Sequence, residues 1–188
     1  MKKTNLPALL AAALLSIPAI SIAENLVSAE DPMDFKPNEV DISTYEGDPA
    51  AGTKVGPQKC FEVKVSADGR DPWLKTKHVI EIDPAKRYRL KFSTFSEGEA
   101  VIGGHGTCQD IDNQEIQPYW AYGMKTEDGK PAVHAPTGGW VLVEALVGPG
   151  ETLEWPPGAT KTYMAIGITK AEPGTVVYVK DLSVEEVR

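Results

Sequence analysis

Short runs in which every second residue is apolar, each closed by a turn, dominate this chain, and no run keeps a 3.6-residue period. Phe61, Val63 and Val65 alternate with Glu62, Lys64 and Ser66, and the run stops at Ala67-Asp68-Gly69. Successive side chains of a strand point to opposite faces, so such alternation marks a strand with one face buried. Val79–Ile82 is a second strand, ended by Asp83-Pro84. Tyr88, Leu90, Phe92 and Thr94 then face one way while Arg89, Lys91 and Ser93 face the other. Further strands are predicted at Ala100–Gly103 running into Gly106–Gln109, Ile116–Tyr122, Gly139–Ala145, Lys161–Ile168 and Thr175–Val184. Gly and Pro, 17 and 15 of the 188 residues, mark the turns between them, as at Gly148-Pro149-Gly150, Pro156-Pro157-Gly158 and Glu172-Pro173-Gly174. About eight short strands at this spacing predict one all-β domain, an antiparallel sandwich or barrel.

The first residues read as a processing segment. Lys2 and Lys3 precede an almost wholly apolar stretch, Leu6 to Ile20, which ends in Ser21-Ile22-Ala23. That order is expected of a secretory signal peptide over residues 1–23, cut after Ala23, and the apolar stretch is too short to span a bilayer well. The expected destination is the periplasm or the extracellular space. Residues 24–59, rich in Asp, Glu, Pro and Gly, read as an extended lead-in lying over the domain, with an edge strand at Val40–Tyr45. The sandwich itself is expected over residues 60–188. Export also places Cys60 and Cys108 where paired thiols oxidise, so a Cys60–Cys108 disulfide is expected.

The formal net charge is −8, which opposes a nucleic-acid partner. His78, His105 and His134 lie far apart, without metal-ligand spacing. No G-x-S-x-G elbow or flanked catalytic triad is present. Acidic pairs such as Asp110/Asp112 and Glu185/Glu186 read as solvated turn residues. Asp110-Ile111-Asp112-Asn113 lacks the Gly and distal Glu of a calcium-binding EF-hand loop. No enzyme is predicted. Gly103-Gly104-His105-Gly106 reads as a flexible stretch or a bulge beside a groove. Of the aromatics, Phe61, Tyr88, Phe92 and Trp140 are assigned to the core. Trp73, Tyr119, Trp120, Tyr122 and Trp155 fall near turns or strand ends. There, flat apolar rings can stack on the C–H face of a sugar while an amide such as that of Gln117 binds its hydroxyls.

Four segments together resemble carbohydrate-binding modules of the CenC type, which have a galactose-binding-like fold. They are Ile82-Asp83-Pro84-Ala85-Lys86-Arg87-Tyr88-Arg89-Leu90-Lys91-Phe92; Gln109-Asp110-Ile111-Asp112-Asn113-Gln114-Glu115-Ile116; Trp140 followed by Pro156-Pro157-Gly158-Ala159-Thr160; and the closing Pro173-Gly174-Thr175-Val176-Val177-Tyr178-Val179-Lys180-Asp181-Leu182-Ser183-Val184-Glu185-Glu186-Val187. The resemblance implies an antiparallel jelly-roll β-sandwich and a secreted, non-catalytic module whose partner is a polysaccharide or other glycan. It also implies no cofactor other than a structural calcium ion, with Asp181 at a position resembling a calcium ligand. The competing reading is a structural or protein-interaction sandwich of the same fold without a glycan site.

Overall fold

The computed structural model describes residues 25–27, 40–53, 59–66, 73–76, 78–116 and 121–187. Those residues hold twelve strands and no helix: β1 (Val40–Glu46), β2 (Lys59–Val65), β3 (Trp73–Lys75), β4 (Ile80–Glu81), β5 (Arg87–Ser96), β6 (Ala100–Gln109), β7 (Ala121–Gly123), β8 (Lys125–Thr126), β9 (Val133–Ala135), β10 (Val141–Val147), β11 (Lys161–Thr169) and β12 (Val176–Val187). They form two antiparallel sheets. The first runs β1-β2-β12-β5-β10-β8; the second runs β3-β11-β6-β7, with β4 also on β11 and β9 also on β6. This is the expected all-β jelly-roll sandwich.

The alternating residues meet between the sheets. Val63, Leu90, Phe92, Val143, Val177 and Val179 from the first sheet pack with Leu74, Ile102, Met164, Ile166 and Ile168 from the second. Each is essentially inaccessible to water, and burying such a side chain contributes about 1.5–3 kcal/mol. The glycine stretch of β6 is neither a bulge nor a break. Its ladder with β11 runs unshifted from Lys161↔Gln109 to Thr169↔Val101. Gly104 faces the core, where an added Cβ would come within 2.6 Å of the Phe92 ring and 2.7 Å of the Met124 sulfur. β6 therefore lies close over Phe92 because this residue has no side chain.

β12 carries the one irregularity that shapes a terminus. Its register on β5 shifts between Lys180 and Ser183, and Asp181 there has a left-handed φ of 56°. β2 pairs with β12 only over Val176–Val179, so backbone groups of β12 beyond the bulge are open on that side. Asn25 takes two of them, donating from Nδ2 to the Leu182 carbonyl at 3.2 Å and accepting from the Val184 amide at 3.0 Å. Leu26 N–H donates to the Val184 carbonyl, and Val27 enters the core. β1, from the segment expected as a lead-in, pairs over seven residues with β2.

Three expectations need correction. Cys60 and Cys108 are buried and free rather than bridged. Cys60 lies on β2 of the first sheet in phase with Glu62 and Lys64, away from the core, with its sulfur 3.9 Å from the Tyr45 carbonyl. Cys108 lies on β6 of the second sheet and points into the core, 4.0 Å from Thr162 Oγ1. The core stands between them. Burial pushes both thiols up to about 11, and the thiolate is the reactive form. The folded chain should therefore resist iodoacetamide near neutral pH, whereas the chain denatured without reductant should gain two alkyl groups by mass. A mass without that gain would restore the bridge.

The second correction concerns Trp155, expected as a sugar-stacking residue. It is 9% exposed and belongs to the core. Its ring meets Tyr88 edge-on at 5.8 Å and its Nε1 donates to the Lys86 carbonyl at 3.2 Å. The proline-rich turn after it folds the indole inward. Trp140 moves the other way: Val143 takes the core phase of β10, so the indole just before β10 stands on the outer face of the first sheet beside Phe95.

Candidate functional site

The sandwich offers two outer faces, and they differ in kind. On the first sheet, the strand phases that miss the core bring together Lys91 with Glu185 at 3.1 Å and Arg89 with Glu144 at 3.9 Å, and at the end of the sheet Lys86 meets Glu186 at 2.8 Å and Arg87 meets Glu151 at 3.2 Å. Beside them sits a small aromatic cluster. Tyr178 contacts Tyr45 edge-on at 5.3 Å and stacks with Phe95 at 6.0 Å, and Phe95 lies 5.9 Å from Trp140. The Trp140 Nε1 donates to Asp48 Oδ1 at 2.8 Å, and Lys180 Nζ lies 4.1 Å over its ring. Burial pushes the Tyr178 phenol up to about 12. These groups are occupied with one another.

The second sheet is different. Its outward phase reads Trp73 and Lys75 on β3, Tyr163, Ala165 and Gly167 on β11, and Gly103, His105 and Thr107 on β6. Small residues at 103, 165 and 167 leave a low floor. Trp73 pairs with Gly167, and because that glycine has no side chain the indole can reach over β11 toward β6. Its ring centroid lies 4.9 Å from that of His105, tilted by 45°. Trp73 remains 53% exposed, so an apolar surface of indole size faces solvent. Next to it, Lys75 Nζ lies 4.0 Å over the Tyr163 ring. The His105 imidazole folds back over Gly103, where a Cβ would meet Nε2 at 3.1 Å.

Burial holds the His105 imidazole below its ordinary value of 6.5. It is therefore neutral at physiological pH and can both donate and accept a hydrogen bond. The linkage has a definite sign. As pH falls from 6.5 toward the lower folded value, the unfolded chain takes up the proton first, so stability present above 6.5 is lost over that window. His105→Gln should flatten this part of a stability–pH curve measured by denaturant unfolding. A curve unchanged by the substitution would contradict it.

Of the other expected site residues, Gln117, Tyr119 and Trp120 lie outside the described residues. For Tyr122 the backbone alone is described; it pairs with Gly106 on β7, at the edge of the second sheet opposite β3. Asp181 is exposed at the β12 bulge, and among the described residues no group of three or more His, Cys, Asp or Glu converges as metal ligands. Asp110 serves its own turn, accepting at 2.9 Å from the amides of both Asp112 and Gln114. Lys161 Nζ closes that turn on Asn113 Oδ1 at 2.7 Å and the Ile111 carbonyl at 3.2 Å. Sequence reasoning missed Lys75, His105 and Gly167 around Trp73, and Tyr163 under Lys75. The signal was the alternation Tyr163-x-Ala165-x-Gly167, which sets a large residue and then small ones on one face.

No protein-family model and no curated protein matches the sequence. Solved structures share the fold. The CBM22-1 xylan-binding domain of Paenibacillus barcinonensis Xyn10C superposes with a TM-score of 0.51 at 8% identity, covering 89% of this chain and 94% of that one. The CBM22-1–GH10 modules of Clostridium thermocellum xylanase Xyn10B, complexed with xylohexaose, give 0.54 at 11% identity over 89% of this chain. TmCBM61 in complex with β-1,4-galactotriose gives 0.50 at 13% identity, covering 88% of this chain and all of that one. The chain spans 28% of the xylanase modules and 18% of a bacteriophage CBA120 tailspike domain that it also resembles. The neighbours thus include many carbohydrate-binding modules, and at these identities the likeness is one of fold. Among the described residues no helix is long and apolar enough to cross a membrane.

Proposed function

We propose that this chain is an exported, non-catalytic carbohydrate-binding module of the CenC type, and that it holds a polysaccharide on the outer face of its second sheet. The observation that carries this reading is Trp73: a half-exposed indole lying over glycine and beside a neutral imidazole, on a face that continues through Lys75 to Tyr163. A sugar ring presents C–H groups on its flat face and hydroxyls at its rim. The indole answers the first, and His105, Tyr163, Thr107 and Lys75 supply polar groups for the second. The floor at Gly103, Ala165 and Gly167 gives the chain of sugars room to lie down. Trp120, with Tyr119 and Gln117, is proposed to extend the contact, since the segment holding them leads into β7 at the far edge of this sheet.

Support for the function comes from the aromatic face and from a fold shared with modules that carry xylohexaose or β-1,4-galactotriose in their solved complexes. Export rests on the leader-like residues 1–23. A glycan array probed with the chain tests the proposal. Retention of at least one neutral polysaccharide is expected, and retention of none would leave the structural or protein-interaction sandwich in its place.

A further inference from the structure

A second concave site lies away from the Trp73 face. The connections after β8 and β9 fold over the start of β10 and enclose a cleft of about 450 Å³. That is within the size range of small-ligand sites. β8 pairs only with Val143 and Glu144, so Trp140, Val141 and Leu142 at the start of β10 are left to form one wall. Trp140 is a rigid element of that wall: Asp48 holds its Nε1 and Lys180 holds its ring, so ordering it adds no cost when a ligand arrives. Around it stand Glu127, Lys130, His134 and Thr137. Thr137 is itself fixed, its amide donating to the Ser96 carbonyl at 2.9 Å.

We propose that this cleft is a second carbohydrate site, taking a short uncharged oligosaccharide or the end of a chain; the choice of ligand class rests on the carbohydrate reading of the molecule. The mixture of walls selects the class. Apolar Val141 and Leu142 with an indole suit a C–H face, while acceptors and donors at Glu127, Thr137, His134 and Lys130 suit hydroxyls that do both. Lys130 Nζ is paired with Asp128 at 2.6 Å, which leaves Glu127 without an equal opposing charge in the lining and disfavours an anionic sugar. The cleft is bounded by two connections, in contrast to the open Trp73 face, so it fits an end rather than the interior of a long chain.

Gly138 supplies the test. It lines the cleft, its φ is not left-handed, and a Cβ built on it meets nothing within 4 Å. Gly138→Leu should therefore fill the cleft without disturbing the fold. The probes are xylohexaose and β-1,4-galactotriose, titrated into the labelled chain and followed by amide NMR. The expected result is two separate sets of shifts with at least one probe, one around Trp73 and His105, the other around Thr126, His134 and Trp140. Gly138→Leu should weaken the second set at least tenfold and leave the first; Trp73→Ala should do the reverse. A Trp73 set alone overturns the cleft and keeps the proposed function. A cleft set alone keeps the cleft and overturns the binding face proposed for Trp73. Neither set with either probe, or a cleft set indifferent to Gly138→Leu, overturns the inference.

Discussion

Trp73→Ala should raise the dissociation constant for a retained polysaccharide roughly 30-fold, the equivalent of about 2 kcal/mol, as removal of an aromatic anchor does at an interface hot spot. The same substitution should change folding stability by no more than about 1 kcal/mol, because half of the side chain already faces water. Calorimetric titration beside thermal melting separates the two quantities. A fold of this kind has many buried aromatics, and truncating one of those would weaken binding only by weakening the protein. An unchanged affinity would remove Trp73 from the site. A large fall in melting temperature would make it a packing residue.

The two adjacent glycines of β6 should respond in opposite ways. Gly104→Ala drives a methyl into Phe92 and Met124, both fully buried, and should destabilise the fold by about 1–3 kcal/mol. In a domain of this size each kcal/mol corresponds to about 2–4 °C of melting temperature. Phe92→Leu in the same chain makes room and should recover part of the loss, so the pair should be non-additive. Gly103→Ala meets the His105 imidazole at 3.1 Å on the outer face and touches the Pro131 carbonyl oxygen at an ordinary 3.8 Å. It should leave melting nearly unchanged and instead turn His105 away from its place beside Trp73. Equal destabilisation by both substitutions would mean that β6 does not present alternate residues to core and solvent as described.

The contrast shows what a sequence of this type makes visible. Alternation in β2 and β5 was readable because bulky apolar residues mark the buried phase: Phe61, Val63 and Val65, then Tyr88, Leu90 and Phe92. In β6 the buried phase includes Gly104 and Gly106, which carry no hydrophobic signal, so the middle of a ten-residue strand reads as a flexible stretch or a bulge. β3 is three residues long and gives no period to detect, yet it holds the most informative side chain of the face. Trp155 and Trp140 exchanged their expected places for a related reason. Local sequence gives the phase of a strand, but Trp140 sits just before one and Trp155 in the middle of a connection, where turns decide which way a ring points. Cys60 and Cys108 show the same limit over distance: their compartment favours a bridge, while the sheet assigned to each strand forbids one. His105 and Trp73, thirty-two positions apart, meet only because β11 runs between their strands.

The Asn25 clip also has a mechanical meaning. Asn25 lies antiparallel to Glu185, so the chain leaves Asn25 and Val187 toward the same side of the sandwich. Tension applied between these two points pulls the clip open one bond at a time, like a zipper, instead of shearing several bonds at once. Under load the Asn25–Val27 segment should peel first at low force, while β12, paired with β5 as far as Val187 and with β2 over Val176–Val179, stays in its sheet. Slack released there would lengthen the tether without loosening the face that carries Trp73.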